Sequence, residues 1–280
     1  MSQPALTAYQ GDVAAYWNAE ADPVNIRLGE VDGFFHHHYG IGDPTPRVAE
    51  GGDDAVIADL HRLESAQANL LLDNLSFAGG RLGAEHRVLD AGCGRGGSSF
   101  LANQRFGCRV DGVSISAKQV KFANEQAAQR GVADRVKFHL ANMLDTGLPA
   151  GEFHSIWNNE STMYVDLYDL FAAHARLLAR GGRYVTITGC YNDVYGQIPS
   201  KAVSTINAHY ECGVHSRRTY FAAMAANRLV PARVIDLTAA TIPYWELRAG
   251  SSVATGIEEA FLSSYKDGSF QYLLIAADRV

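Results

Sequence analysis

The sequence predicts an α/β fold in which one doubly wound, mostly parallel seven-stranded sheet follows a helical N-terminal cap. Up to about residue 85 the chain reads as helical or irregular. After that point short apolar runs alternate with helical patterns, as in repeated βα units. The 280 residues are enough for one large domain with a cap. We therefore predict a cap or lid over 1–84 and a ligand-binding domain over 85–280, with additional covering helices at about 195–228.

The individual elements follow from the same patterns. Strands are predicted from seven apolar runs, at 86–91, 108–115, 135–141, 153–159, 182–190, 230–237 and 270–277. Helices are predicted at about 97–106, 116–130, 163–180, 199–212, 216–228 and 254–265. Gly131 and the pair Gly181-Gly182 follow two of these helices, where glycine commonly ends a helix. The last strand follows a short connection, which would let it insert antiparallel.

Composition excludes several classes of protein. The net charge of −6 argues against a general nucleic-acid binder, which needs a basic face. No run approaches the roughly 18 apolar residues of a membrane span, and the N-terminus lacks the pattern of a signal peptide. The four cysteines are widely spaced and form no CxxC pair, so neither a disulfide framework nor a cysteine zinc site is expected. We expect a cytoplasmic protein with free thiols.

The strongest local signal is the segment VLDAGCGRGG at 88–97, a buried strand that runs into a glycine-rich turn and a helix. Glycines allow a tight turn and close approach to a ligand. The pattern GxGxxG at 92–97 is also a dinucleotide fingerprint. Asp90 separates these interpretations, because its carboxylate would repel a pyrophosphate but favours a cationic amino-acid ligand. A nicotinamide cofactor and a turn without a ligand stay as alternatives.

The string DxGxG resembles motif I of class I S-adenosylmethionine-dependent methyltransferases. The resemblance implies a Rossmann-like sheet and a cofactor site at Asp90, Gly92, Cys93 and Gly94. These enzymes usually carry an acid for the ribose at the end of the second strand, where this chain has Ser114. Sterol methyltransferases and cyclopropane fatty acid synthases are similar in this respect, which implies that Ser116 and Gln119 hold the ribose. Ser116 is equally plausible as a helix N-cap.

Two further segments resemble cofactor motifs. Asn142 and Met143 match motif III, where one side chain binds the adenine amine and the next covers the ring. An ordinary turn is the alternative. Asn158 ends the fourth strand at the same cleft, because ligands of such sheets lie at the carboxyl ends of the strands.

Glu160 follows the fourth strand at a point that faces the methyl group of the cofactor in this family. Its alternative role is to favour a helix N-terminus. The segment FFHHHYGIG at 34–42 has three adjacent histidines, a spacing that does not converge easily on a metal ion. An aromatic and imidazole lid is favoured. Tyr39 and the glycines after it resemble the N-terminal segment of sterol methyltransferases, which methylate an alkene carbon.

The runs DPVNIRLGEVDGFFHHHYGIG, WNNESTMY and GQIPSKAVSTINAHYECGVHSRRTYF resemble the bacterial geranyl diphosphate 2-C-methyltransferases, from about residue 10 to the end. This resemblance implies methyl transfer to C2 of geranyl diphosphate on the route to 2-methylisoborneol, with Glu160 and Tyr39 as catalytic residues. Another prenyl diphosphate, a sterol-like alkene and nicotinamide-dependent oxidation are the alternatives.

Such a substrate needs an apolar pocket and donors for its diphosphate. The aromatic candidates are Tyr39, Tyr164, Tyr210, Phe221 and Trp245. The polar candidates are Asn25, Arg27, His36, Arg47, Lys201, Arg217 and Arg218, of which Asn25 and His36 are favoured. Mg²⁺ is expected to bind through the diphosphate without dedicated protein ligands, because no DDxxD-like motif is present. A homo-oligomer is expected.

Overall fold

The computed structural model describes residues 4–19, 24–77, 79–194 and 199–280. Its centre is one sheet with the strand order β3-β2-β1-β4-β5-β7-β6. The strands are β1 Arg87–Ala91, β2 Arg109–Ser114, β3 Val136–Leu140, β4 Phe153–Asn159, β5 Leu178–Tyr191, β6 Leu229–Asp236 and β7 Phe270–Arg279. β1 to β5 are parallel, and β7 inserts antiparallel between β5 and β6. The predicted sheet and its antiparallel last strand are therefore confirmed.

Helices pack on both faces of this sheet. They are α1 Ala8–Ala19, α2 Val24–Gly29, α3 Asp53–Asp73, α4 Gly97–Phe106, α5 Ala117–Gln129, α6 Leu167–Leu177, α7 Lys201–Tyr210, α8 Arg217–Ala226, α9 Thr238–Ala249 and α10 Glu258–Lys266. Neighbouring strand residues point to opposite faces, so Val88 and Leu89 of β1 enter different apolar clusters. A parallel sheet buried on both faces explains why its strands read as continuous apolar runs.

The N-terminal residues share a core with the sheet. Leu28 of α2 and Leu60 of α3 belong to the same apolar cluster as Val88 and Val185 of the central strands. Both leucines are fully buried. The cap predicted over 1–84 thus packs directly on one face of the sheet in the part of the chain that is described.

The helix predicted at 163–180 is wrong at both boundaries, and it begins at Leu167. It ends at Leu177, because Leu178 is already extended and begins β5. Gly181 has positive φ inside β5, so it shapes the strand and does not end the helix. Helix α9 has no predicted counterpart at all. It contains Pro243, whose missing N–H and bulky ring normally disfavour a helix interior, and this hides the helix from pattern analysis.

The covering helices predicted at about 195–228 begin on residues outside the described part of the chain. Of the remainder, α7 faces the interior cavity described below, whereas α8 packs on α6 and β6. Within the described residues, no helix has both the length and the apolarity needed to cross a membrane.

Candidate active site

Two adjoining cavities lie at the carboxyl ends of the central strands. The smaller, of about 570 Å³, is walled by the glycine turn after β1 and the ends of β2 and β3. The larger, of about 700 Å³, lies among α7, α9, α10 and the N-terminal segments. Trp17, His37, Glu160 and Tyr164 line both. A ligand in one cavity would therefore meet a ligand in the other at these four residues.

The glycine turn is built for close approach. Gly92 has a φ of +85°, which side-chain residues rarely adopt, and a Cβ there would lie 2.4 Å from Cβ of Ser161. Gly92 and Gly94 line the smaller cavity. Cys93 is buried, and its Sγ lies 3.8 Å from the carbonyl oxygen of Gly94. The turn thus presents its backbone to the cavity, and the Cys93 thiol is buried against the turn itself.

Asp90 lies on β1 just before this turn and is almost fully buried. The hydroxyl of Ser99 donates to it at 2.7 Å. Burial raises the pKa of Asp90 to about 7, although the hydrogen bond from Ser99 and the nearby Trp157 oppose the rise. Asp90 lines a recess of about 260 Å³ beside the smaller cavity, together with the histidine segment. Its charge would be most stable beside a cation.

Of the two residues predicted to bind the ribose, Gln119 lines the smaller cavity and Ser116 does not. The side chains of Ser114 and Gln119 line the smaller cavity and are joined by a hydrogen bond of 3.0 Å from Ser114 Oγ to Gln119 Oε1. Ser116 is the N-cap of α5, accepting from the backbone N–H of Gln119. Its hydroxyl also donates to Asn18 of α1 at 2.9 Å. The structure therefore puts Ser114, which the sequence argument did not select, on the cavity wall.

At the other end of this cavity, Met143 lines the wall as expected. The amide of Asn142 donates to Gln10 of α1 at 3.0 Å and holds the N-terminal helix against the motif. Asn158 is fully buried, and its amide donates to the carbonyl oxygen of Ala91 and to Ser161. Neither Asn142 nor Asn158 is among the residues that line the two cavities.

Glu160 follows β4 in a left-handed conformation with a φ of +53°, and its backbone N–H donates to the carbonyl oxygen of Ile187. This geometry turns its side chain to the junction of the two cavities. Burial raises the pKa of Glu160 to about 8, and the neighbouring Tyr272 hydroxyl opposes this rise. Its Oε1 is buried with no hydrogen-bond partner among the described residues. Because Glu160 lines both cavities, its side chain can meet a ligand in either of them.

Aromatic rings form much of the larger cavity. Its lining includes Tyr39, Tyr164, Tyr210, Phe261 and Tyr265. Trp245 stacks on Phe261 at 3.9 Å and contacts Tyr39 at 4.5 Å, so it supports the wall from behind. Phe221 was expected in the pocket but packs in the apolar cluster on the opposite face of the sheet. The whole of α8 packs on that side, since Tyr220, Ala223 and Met224 belong to the same cluster.

The cation of the larger cavity is not among the predicted donors. Arg248 of α9 is the Lys or Arg side chain that lines it in the described part of the chain. It is buried with Glu258, at 3.1 Å between Nε and Oε1. Pattern analysis missed it because α9 itself was not predicted. A lone arginine near the end of an unrecognised helix carries no signal.

The predicted polar residues are distributed differently. Asn25 lines the larger cavity and pairs with the ring of His37 at 3.3 Å. His36 lies instead in the recess beside Asp90, within 3.3 Å of the Ser65 hydroxyl. The remaining candidates, Arg27, Arg47, Lys201, Arg217 and Arg218, are not part of the lining of either main cavity. Arg27 pairs with Asp53 and Arg218 with Asp193.

Among the described residues, no three or more His, Cys, Asp or Glu side chains lie together in a group that could hold a metal ion. Although three histidines are adjacent in the sequence, the rings of His36 and His38 pack together at 4.8 Å and the ring of His36 stacks on His61. Burial lowers the pKa of His38 to about 4. Burial also lowers the pKa of His36, so His36 and His38 are neutral, packed side chains beside the glycine turn.

Comparisons with known proteins agree with this geometry. Residues 88–182 match the methyltransferase domain family. The geranyl diphosphate 2-C-methyltransferase of Saccharopolyspora erythraea is 66% identical over 280 residues, covering 99% of this chain and 96% of that protein. The enzyme of the same name from Streptomyces lasalocidi is 60% identical, covering 98% of this chain and 91% of that protein.

Solved structures are equally similar. Geranyl diphosphate C-methyltransferase from Streptomyces coelicolor A3(2), in complex with Mg²⁺, geranyl diphosphate and S-adenosyl-L-homocysteine, has a TM-score of 0.93 at 57% identity and full coverage of both chains. A geranyl diphosphate methyltransferase in complex with geranyl diphosphate and sinefungin has a TM-score of 0.95 at 60% identity, covering 99% of this chain and 100% of that chain. This chain belongs to the geranyl diphosphate 2-C-methyltransferase family.

Proposed function

We propose that this chain transfers the methyl group of S-adenosylmethionine to C2 of geranyl diphosphate, giving 2-methylgeranyl diphosphate and S-adenosylhomocysteine on the route to 2-methylisoborneol. The observation that carries the proposal is the position of Glu160 where two cavities meet. One cavity is walled by a glycine turn and the other by aromatic rings. Relatives that are 60 to 66% identical to this chain are named for this activity.

The smaller cavity fits S-adenosylmethionine. Asp90 offers a buried carboxylate for the amino group of the methionine part, and the turn at Gly92 and Gly94 leaves room for it. Ser114 and Gln119 offer a hydroxyl and an amide for the ribose. Met143 gives an apolar face for the adenine ring. When bound, the cofactor supplies a methyl group on a positively charged sulfur.

The larger cavity fits an isoprenoid diphosphate. Phenol and phenyl faces can hold the hydrocarbon chain and stabilise positive charge through their quadrupoles. Arg248, Asn25 and His37 supply polar groups in the same cavity for the diphosphate. We propose Arg248 as the main protein charge for this group. Mg²⁺ would accompany the diphosphate, since phosphate oxygens and water are its usual ligands.

The reaction follows from this placement. The π electrons of the C2=C3 double bond form the new carbon–carbon bond to the methyl group while the carbon–sulfur bond breaks. The sulfonium becomes a neutral thioether and C3 becomes a tertiary cation. Loss of the C2 proton then restores the double bond. Each step shifts positive charge, so a buried carboxylate beside it lowers the barrier in a site that excludes water.

Glu160 is proposed as the anion that faces this charge and as the group that takes the proton, directly or through water. Its pKa, raised to about 8 by burial, suits a base at neutral pH. Tyr39 is proposed to act through its ring. Burial, with Tyr210 and Glu160 nearby, holds the pKa of its phenol well above 10, so the phenol stays protonated.

The competing substrates can be separated directly. We expect methyl transfer to geranyl diphosphate with Mg²⁺ to exceed that to farnesyl diphosphate or a sterol by at least about tenfold, as differential binding in a fitted cavity allows. Product masses after incubation with each acceptor measure this. Preference for a longer chain or a sterol would replace the proposed substrate. Thermal stabilisation by NAD and not by S-adenosylhomocysteine would support the oxidoreductase alternative.

Replacing Arg248 tests the diphosphate site. We expect Arg248→Gln, combined with Glu258→Gln so that no buried carboxylate loses its partner, to raise the KM for geranyl diphosphate about tenfold to a hundredfold, the value of a hydrogen bond to a charged group. The Kd for S-adenosylhomocysteine is the control and should stay unchanged. Glu258→Gln alone separates the loss of the ion pair from the loss of the arginine. An unchanged KM would remove Arg248 from substrate binding.

We also propose that the enzyme is a cytoplasmic homo-oligomer. All four cysteines are free thiols, which suits a reducing compartment. The edge strand β6 leaves Val230 and Val234 exposed at 50% and 44%, a surface that supports self-association. Light scattering of the purified chain measures the assembly, and a monomer at micromolar concentration would contradict it.

A further inference from the structure

Next to Glu160, three buried polar side chains meet from three different elements, and one of them, Asn159, also lines the smaller cavity. They are Gln67 of α3, Asn159 of β4 and Tyr272 of β7. Gln67 and Tyr272 are fully buried, and Asn159 is 9% exposed. A buried polar group costs free energy unless it is hydrogen-bonded, so such a cluster is retained where it contributes something to the protein.

The bonds within this cluster are reciprocal. Gln67 Nε2 donates to Asn159 Oδ1 at 2.7 Å, and Asn159 Nδ2 donates back to Gln67 Oε1 at 3.0 Å. The second hydrogen of Gln67 Nε2 is donated to the Tyr272 hydroxyl at 2.9 Å. Both amides are thereby fixed, because flipping Asn159 would break two of these bonds and flipping Gln67 would break all three. The pair gives the Tyr272 oxygen a fixed donor.

The donor from Gln67 decides where the hydroxyl proton of Tyr272 can point. The Tyr272 oxygen accepts from Gln67, so the single hydroxyl proton of Tyr272 is left for its other neighbour, the Glu160 carboxyl group. A phenol that donates favours the ionised form of that carboxyl group.

We propose that the Gln67–Asn159 pair is a positioning device that holds Tyr272 as a hydrogen-bond donor to Glu160 and so sets the orientation and charge of the catalytic carboxylate. The inference rests on the proposed role of Glu160. Gln67 and Tyr272 are positioning residues, since neither lines the two main cavities.

The ionisable groups around Glu160 must be known before a shift in its pKa can be assigned to Tyr272. The electrostatic neighbours of Glu160 are phenols and a thiol, from a loop, α8, α10, β7 and the segment after α7: Tyr39, Tyr220, Tyr265, Tyr272 and Cys212. The other ionisable groups that share its two cavities are Tyr16, His37, His38, Tyr164, Tyr210 and Arg248. Burial raises the pKa of Cys212 to about 12 and lowers that of His38 to about 4.

The test is the pH dependence of kcat in Tyr272→Phe and Gln67→Met. We expect the acidic limb of each profile to move up by about one pH unit, so that kcat falls about tenfold near pH 6.5 and recovers to within about twofold near pH 9. The KM for S-adenosylmethionine at the higher pH should stay within about twofold of the wild-type value. A merely structural loss would lower kcat at all pH values alike.

Tyr184→Phe is the matched control. Its phenol is also fully buried and donates to a buried asparagine, Asn158, at 2.9 Å. It should lower the melting temperature comparably without moving the pH midpoint. An unmoved midpoint in Tyr272→Phe would overturn the proposal. Should Gln67→Met fail to fold, Tyr272→Phe alone decides.

A second readout keeps this inference distinct from the proposed function. The Kd for S-adenosylmethionine, relative to that for S-adenosylhomocysteine, reports the charge of Glu160 without turnover. In Tyr272→Phe the pH at which this ratio changes should also move up by about one unit. Absence of methyl transfer in the wild type would refute the proposed function. A moved binding midpoint would still support the hydrogen-bond relay, and an unmoved one would refute it.

Discussion

Glu160→Gln is expected to lower kcat by about a hundredfold to a thousandfold, the usual loss when a preorganised electrostatic contact is removed. The carboxyl group lies at the junction of both cavities, and its Oε1 has no hydrogen-bond partner among the described residues. Glutamine keeps the size and the left-handed backbone position but cannot carry the negative charge that faces the cation. Single-turnover methyl transfer measures the chemical step.

Cofactor binding is the control for this variant. S-adenosylhomocysteine lacks the sulfonium charge, so its Kd should stay within about twofold of the wild-type value, well below the tenfold that one pKa unit represents. Glu160→Asp keeps the charge on a shorter side chain and should retain partial activity. Wild-type turnover in Glu160→Gln would remove this residue from the mechanism and leave the aromatic walls to stabilise the cation.

The second large effect concerns cofactor affinity and pH. Burial raises the pKa of Asp90 to about 7 and that of Glu160 to about 8, so both are largely protonated in mildly acidic solution. A cationic ligand binds best when they are ionised. Binding therefore expels protons, and affinity must rise with pH. From about pH 5.5 to 7, below the titration of a ligand amino group, we expect the Kd of S-adenosylhomocysteine to fall about tenfold through Asp90.

S-adenosylmethionine should show a steeper dependence, because its sulfonium also draws the ionisation of Glu160. Isothermal titration in buffers of different ionisation enthalpy counts the protons released by each ligand. Asp90→Asn should remove the slope shared by both ligands, and Glu160→Gln the additional slope of S-adenosylmethionine. Affinities that do not depend on pH would show that neither carboxyl group faces a bound cation.

The raised pKa values of Asp90 and Glu160 also determine how the stability of the folded protein changes with pH. A carboxyl group whose folded pKa is raised holds its proton more firmly in the folded state than in the unfolded chain. Its contribution to stability is therefore present at low pH and is lost as the pH rises toward 7 and 8. Bound cofactor offsets this loss, so the stabilisation on ligand binding should grow over the same pH range.

Sequence patterns were sufficient where chemistry is local. The strand–glycine–helix segment carries Asp90 and Gly92 within three positions, and Glu160 follows an apolar strand directly. Such residues are recognised because the backbone turn and the side chain belong to one segment. The doubly wound, mostly parallel sheet could be predicted for the same reason, since each βα unit repeats a short apolar and amphipathic pattern.

Residues joined only by the tertiary fold escaped prediction. Gln67 lies 92 positions from Asn159 and 205 positions from Tyr272 in the sequence. No local pattern relates residues that are so far apart. Arg248 lies on a helix that Pro243 conceals. Phe221 has the residue type of a pocket wall, yet α8 as a whole packs in the apolar cluster on the other face of the sheet. The direction of a side chain between packed elements depends on tertiary contacts, which cannot be read from the local sequence.

The proposed chemistry is tested most directly by the position of the transferred carbon. The chain should be incubated with geranyl diphosphate, Mg²⁺ and S-adenosylmethionine labelled with ¹³C in the methyl group, and the product examined by NMR. We predict a labelled methyl on C2 with the C2=C3 double bond retained. Label on an oxygen or on another carbon, or no labelled product, would contradict the account.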